Sequence, residues 1–265
     1  GTFRFEAEKK LAAFLKKIKL PGVKAATILV SSDLSVRSAV HALVKYAKEN
    51  GGDLIVASTL ARKGVSRFLL GSFAESVILQ SDVPILLVSP KTVVKPKFGE
   101  ILVPTDFSEK SKEVLPRIVA LAKQLNAKVA LFHQVEYLTQ FTVDQFGVVP
   151  AMQKFLDEDV KRREELGHKW CAELKNQGVK VELAMNKKGA FAADSILAAA
   201  KKRGSAMIAI ASQTGPVASF LLGSVTRQVI RAATCPVWVI HPEGYKEVTR
   251  PNPVATNVEK STVLL

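Results

Sequence analysis

Two stretches decide the fold: RFLLGSFAESVILQSDVPILLVSP, from Arg67 to Pro90, and SFLLGSVTRQVIRAATCPVWVIHP, from Ser219 to Pro242. They align without a gap at an offset of 152, with nine of 24 positions identical. Each reads as a helix opened by Gly-Ser, a turn, and an apolar strand closed by proline, so the chain is built on an internal repeat. Working upstream from each copy gives the same order of elements. The first copy predicts a helix over 5–18, a strand over 25–31, a helix over 35–50 and a strand over 53–58. The second predicts a helix over 157–177, a strand over 179–185, a helix over 190–203 and a strand over 206–212. The strands are continuous apolar runs rather than alternating ones, the pattern of parallel strands covered by helices on both faces.

The second copy has more at its front: a strand over 100–105, a helix over 108–125, a strand over 128–135 and a linker from 136 to about 155. The first copy lacks these elements, and at the repeat offset the counterpart of Glu100 falls about fifty residues before Gly1. In a doubly wound sheet that first strand is central. The chain is therefore expected to lack a segment of its first domain, or to have it supplied by another chain, which leaves the strand over 53–58 with a single neighbour. The domain layout expected is 1–92, 98–242 and a tail over 243–265. Pro251 and Pro253 in that tail predict an extended arm.

The 265 residues suit one large or two ordinary domains, and 48% hydrophobic with 23% charged residues excludes a disordered or fibrous chain. Cys171 and Cys235 are far apart and show no metal-ligand spacing, which removes a disulfide scaffold and a zinc finger. Residues 204–226 are free of formal charge and long enough to span a bilayer, but Ser212-Gln213-Thr214-Gly215-Pro216 interrupts them with a turn. With no leader at its start, the chain is expected to be a soluble cytoplasmic protein with no membrane partner. The net charge of +14 is spread along helices and loops with acids nearby, and aromatics at 7% do not interleave with the basic runs. It reads as solvated helix faces before it reads as a nucleic-acid groove.

Chemistry concentrates at ILVPTDFS, from Ile101 to Ser108. Asp106 follows a buried strand immediately, where open parallel sheets place their ligands. Ser108 is a fitting N-cap, and on chemistry alone Thr105, Asp106 and Ser108 serve equally well as ligand contacts or as acceptors for orphan helix amides.

That string, the Leu131-Phe132-His133 strand end, the LLGS at Leu69 to Ser72 and again at Leu221 to Ser224, and the closing PILLVSP and PVWVIHP together resemble the universal stress protein family in a tandem, two-domain form. The resemblance runs from about Phe5 to Pro242. It implies an α/β fold of two doubly wound, parallel, five-stranded sheets of the adenine nucleotide alpha-hydrolase-like type. It also implies an internal pseudo-dimer through edge strands running from Pro84 to Pro90 and from Pro236 to Pro242, which cover one another. A homodimer of whole chains is left open.

Many family members bind ATP. By resemblance Pro104, Thr105 and Asp106 would meet adenine and ribose, with Gln134 standing where a valine usually touches the base. The family's phosphate loop runs Gly, two residues, Gly, nine residues, Gly, then Ser or Thr, so that backbone amides and a helix start close on phosphate. In the first copy these positions are Ser58, Ala61, Gly71 and Ser72, with two of three glycines replaced. In the second they are Ser212, Gly215, Gly223 and Ser224, with the final spacer two residues short and Pro216 removing an amide donor. His133 reads as structural, His41, His168 and His241 show no acid or nucleophile at a recognisable sequence spacing, and no catalytic residue or metal site is assigned. The reading is a cytoplasmic stress protein acting as a non-catalytic ligand-sensing or scaffolding module with degenerate nucleotide-binding loops. An ATP-binding sensor with at most slow hydrolysis, and a basic anion or nucleic-acid binder, are the alternatives.

Overall fold

A computed structural model of the chain describes residues 2–17, 25–30, 35–59, 70–93, 95–135, 150–188, 191–212, 222–242 and 259–264. The chain divides into two compact units, Gly1–Gly51 with Thr249–Leu265, and Gly52–Val248. The repeat boundaries do not coincide with these units.

The smaller unit holds helix α1 (Thr2–Lys17), strand β1 (Ala25–Val30), helix α2 (Val36–Glu49) and strand β9 (Glu259–Leu264). Ser35 caps α2 by accepting from the Ser38 amide at 3.1 Å, and the Val40, Ala42 and Val44 side chains are buried. β1 and β9 pair antiparallel, from Ala25 opposite Leu264 to Val30 opposite Glu259. The described end of the tail is thus a strand, and β1 is held by an antiparallel neighbour rather than a parallel one. The pairing satisfies backbone groups that an apolar strand of six residues must place somewhere.

The larger unit carries one sheet in the order β2-β3-β8-β7-β4-β5-β6. Its strands are β2 (Ile55–Ser58), β3 (Ile85–Val88), β4 (Glu100–Pro104), β5 (Lys128–Gln134), β6 (Val181–Asn186), β7 (Met207–Ala211) and β8 (Val237–Ile240). Its helices are α3 (Ser72–Gln80), α4 (Glu109–Glu113), α5 (Leu115–Leu125), α6 (Pro150–Asn176), α7 (Ala192–Arg203) and α8 (Ser224–Ala232). The second copy supplies five mutually parallel strands, β6, β5, β4, β7 and β8, and the first supplies the parallel pair β2 and β3. The two sets join antiparallel at β3 and β8, with Leu86 opposite Trp238. The result is one continuous seven-stranded sheet, five strands from the second copy and two from the first. Among the described residues β2 pairs only with β3.

Burial explains the apolar runs. Every residue of β7 and of β8 is buried, and the core runs through Ile101, Val103, Leu131, Trp170 and Ile240. Two helices depart from the sequence expectation. The helix expected over 108–125 breaks at Val114, because Pro116, in the first turn of α5, lacks an amide hydrogen and its ring excludes the carbonyl four residues back. The helix expected from 157 already starts at Pro150, inside the stretch read as linker, with proline at the position where a helix tolerates it. At the far end of α7, Gly204 adopts φ 64° as the C-cap, a conformation glycine reaches without a Cβ penalty.

Candidate functional site

The parallel strands run outward from β4, to β5 and β6 on one side and to β7 and β8 on the other. The order in which strands are added therefore reverses between β4 and β7, all of them remaining parallel, and the connections leave a crevice beyond the carboxyl ends of these strands. A cavity of about 550 Å³ lies there, within the ordinary range for small-molecule sites. β4 lines it with Pro104, Thr105 and Asp106, β5 with Phe132, His133 and Gln134, and β7 with Ile210 and Ala211. The start of α8, Gly223 to Thr226, forms another wall, and Asp159 and Arg163 of α6 complete it.

The Asp106 turn is tightly made. The Thr105 amide donates to Phe132 O at 2.8 Å, and Thr105 Oγ1 accepts from the Phe107 amide at 2.9 Å. Asp106 Oδ1 accepts from the Ser108 amide at 3.0 Å, Ser108 Oγ at 2.7 Å and Ser111 Oγ at 2.6 Å. Ser108 caps α4 through the Ser111 amide. These residues satisfy local donors, and Thr105 and Asp106 also line the cavity.

Beneath the turn, Phe107 takes φ 61° and buries its ring 5.0 Å from His133 and 5.3 Å, edge-on, from Trp170. His133 Nδ1 lies 2.8 Å from Thr105 O; since a carbonyl only accepts, Nδ1 carries the hydrogen, which fixes the tautomer and pins β5 to the turn.

Gln134 is buried and spent within the protein. Its Nε2 donates to Val135 O at 2.8 Å and to Lys188 O at 3.0 Å, and its Oε1 accepts from Asn186 Nδ2 at 2.8 Å. Asn186 Nδ2 also reaches Ser195 Oγ at 3.2 Å. The amide thus ties the rim of β6 and the start of α7 to β5, while Gln134 also lines the cavity.

The α8 wall differs in kind. Gly223 is its N-cap and makes no side-chain cap bond, and the first turn contains no acid. The first amides of a helix lack intrahelical partners and carry the positive dipole end, so this wall favours an anion.

Arg163 and Asp159 belong to no motif in the sequence, where the basic residues along helices read as solvated faces. Arg163 Nε donates to Asp159 Oδ2 at 2.6 Å and Nη1 to Asp106 O at 3.3 Å, which holds the guanidinium beside the Asp106 turn in the cavity wall. The Arg163 hydrogen bond holds the Asp159 carboxyl below its ordinary range, with Arg162 adding to it. Four-residue spacing between an acid and an arginine was the available signal.

The remaining expected residues fall elsewhere. Ser212 is buried at the end of β7 and bonds Ile240 O through its amide at 2.8 Å. Ser58 ends β2, Gly71 caps α3 and Ser72 opens it, and none of the three lines this cavity. Ala61 and Gly215 lie outside the described residues. Among the described residues no cluster of three or more His, Cys, Asp or Glu side chains could hold a metal ion, and no helix is long and apolar enough to cross a membrane. Cys171 and Cys235 are free and buried, and burial pushes both thiols up.

Comparison with known proteins agrees with this architecture. Universal stress protein YxiE of Bacillus subtilis is 28% identical over 148 residues, 54% of this chain and 99% of that protein. A universal stress protein structure from Archaeoglobus fulgidus superposes with a TM-score of 0.53 at 24% identity, covering 77% of this chain. This chain spans 65% of that one. The PA1789 protein of Pseudomonas aeruginosa PAO1 superposes with a TM-score of 0.59 at 17% identity, covering 90% of this chain and 78% of that one. The model of the universal stress protein family matches residues 3–89 and again 97–241. With both repeats matched and the α/β architecture in place, the chain belongs to the universal stress protein family, in tandem form.

Proposed function

We propose that the chain is a cytoplasmic, non-catalytic sensing module whose cavity takes a small anionic, nucleotide-like ligand weakly and without turnover. The observation that carries this reading is that Asp106 and the uncapped start of α8 line one cavity of about 550 Å³. Anion-favouring amides and a ligand-sized space support binding.

The local hydrogen bonding argues against turnover. Asp106 Oδ1 already accepts three hydrogen bonds, His133 Nδ1 is committed to Thr105 O, and the Gln134 amide is saturated within the protein. The shortened glycine spacing of the second copy weakens the grip on a triphosphate. Free, buried cysteines fit a reducing cytoplasm. The basic residues are interleaved with acids, as in Lys112 with Glu173 and Lys187 with Glu164, which favours a solvated surface over a nucleic-acid groove.

Isothermal titration with ATP and magnesium tests the reading. The expected outcome is a Kd weaker than about 100 μM, equivalent to about −5 kcal/mol, and no phosphate release on incubation. Micromolar binding abolished by Asp106→Ala would refute it in favour of a dedicated ATP sensor. Retardation of DNA or RNA that persists at about 150 mM salt would instead promote the basic-surface alternative.

A further inference from the structure

The repeat offset of 152 gives each position of the first copy a counterpart in the second. Where β3 meets β8, Leu86 stands opposite its own counterpart, Trp238, and the flanking pairs, Ile85 with Val239 and Leu87 with Val237, follow in mirrored order. An antiparallel pair centred on equivalent residues has a local two-fold axis through them. The helices above obey the same axis. Glu75 of α3 and Arg227 of α8 are also counterparts at the offset of 152, and Arg227 Nη2 donates to Glu75 Oε1 at 2.6 Å.

At an axis position a symmetric pair of identical halves sets each residue against itself. Here the two counterparts differ, and in the sense that makes them complementary: acid with base, and a leucine with an indole. Two first copies from two chains would bring Glu75 to Glu75 and Leu86 to Leu86, adding like-charge repulsion and leaving a gap. Two second copies would bring Arg227 to Arg227 and crowd Trp238 against Trp238. Both the repulsion and the misfit in volume are unfavourable, and specificity built this way acts by penalising the wrong pair as well as by favouring the right one.

We propose that Glu75, Arg227, Leu86 and Trp238 are the residues that fix which half pairs with which, so that the edge strand of the first copy accepts only that of the second. Any assembly of two chains through this seam is then a reciprocal exchange, the first half of each chain pairing with the second half of the other. Trp238 suits a clean test, since its Nε1 has no hydrogen-bond partner among the described residues and its removal strands no acceptor.

Two exchange cycles read the proposal. In the charge cycle, Glu75→Arg and Arg227→Glu are each expected to raise the unfolding equilibrium constant about fivefold to tenfold, with the double exchange within about threefold of the wild type. In the volume cycle, Leu86→Trp and Trp238→Leu each destabilise, and the double exchange recovers. If Arg227→Glu fails to fold, Glu75→Arg and the volume cycle carry the comparison. A third variant, Leu86→Cys, is held under mild oxidation and run on a non-reducing gel, with no covalent dimer expected. Purely additive losses in both cycles, or a covalent Leu86→Cys dimer, would overturn the proposal.

Discussion

Glu100 is the first residue of β4 and only 3% exposed, yet it is ionised. Burial by itself would raise its carboxyl. Against that stand Arg203 Nε on Oε1 at 2.9 Å, Arg203 Nη2 on Oε2 at 2.8 Å, Ser205 Oγ on Oε1 at 2.7 Å and Lys128 Nζ on Oε2 at 2.9 Å. Arg203 and Ser205 lead, and the carboxyl is drawn down from 4.5 to about 2. At about 1.4 kcal/mol per tenfold change, that fall stabilises the folded, charged state by about 3 kcal/mol. Because the folded value lies below the unfolded one, the contribution is complete above pH 4.5 and is lost as the pH falls toward 2.

The perturbation is Glu100→Gln, which keeps the shape and removes the charge. Urea unfolding followed by the fluorescence of Trp170 and Trp238 should show the variant about 2–3 kcal/mol less stable than the wild type at pH 7. The gap should close progressively between pH 4.5 and 2. Equal stability at pH 7, or a gap that stays constant across that range, would refute the reasoning.

His241, buried at the end of β8, is pushed down to about 4, chiefly by burial and further by Arg117, with the Ile78 backbone and Asp82 pulling the other way. Its neutral ring therefore favours folding above pH 6.5, and that advantage is lost as the pH falls through 6.5 toward 4. At pH 5 His241→Asn should escape about 2 kcal/mol of acid destabilisation relative to pH 7, and identical pH slopes for variant and wild type would reject this. Gly167 in α6 has no room for a side chain, since a Cβ there would sit 2.8 Å from both Leu183 methyls and 3.0 Å from Phe107 Cζ. Leu183 can swing away, but Phe107 is wedged between His133 and Trp170. Gly167→Ala should therefore cost about 1 kcal/mol in chemical denaturation in spite of alanine's better helix propensity, and a stabilised variant would show that α6 lies less closely on the sheet.

Several residues that line the candidate cavity are legible in the sequence. ILVPTDFS placed Asp106 past a buried strand because a continuous apolar run followed by Thr-Asp and an N-cap serine is a local signal, complete within eight residues. The LLGS copies located the start of α8 for the same reason. What the spacing could not supply was the other wall. Arg163 and Asp159 come from a helix more than fifty residues on, and their four-residue spacing records that they pair but not that α6 walls the cavity. Gln134 was legible as a departure from the resemblance, but its saturation by Asn186 and Lys188 depends on the register of β6 beside β5.

The sequence by itself determined the duplication and the α/β layering, because these follow from periodicity and from repeated residues at one fixed offset, while the joining of the halves through their last strands came only as what the family resemblance implies. Only the tertiary structure decided that β9 pairs with β1, that Glu100 is ringed by Arg203, Ser205 and Lys128, and that Glu75 meets Arg227 on the same axis as Leu86 and Trp238. Those outcomes rest on contacts between residues far apart along the chain. A local pattern records which face a side chain prefers, but its partner is fixed only once strands have settled into register and helices have packed.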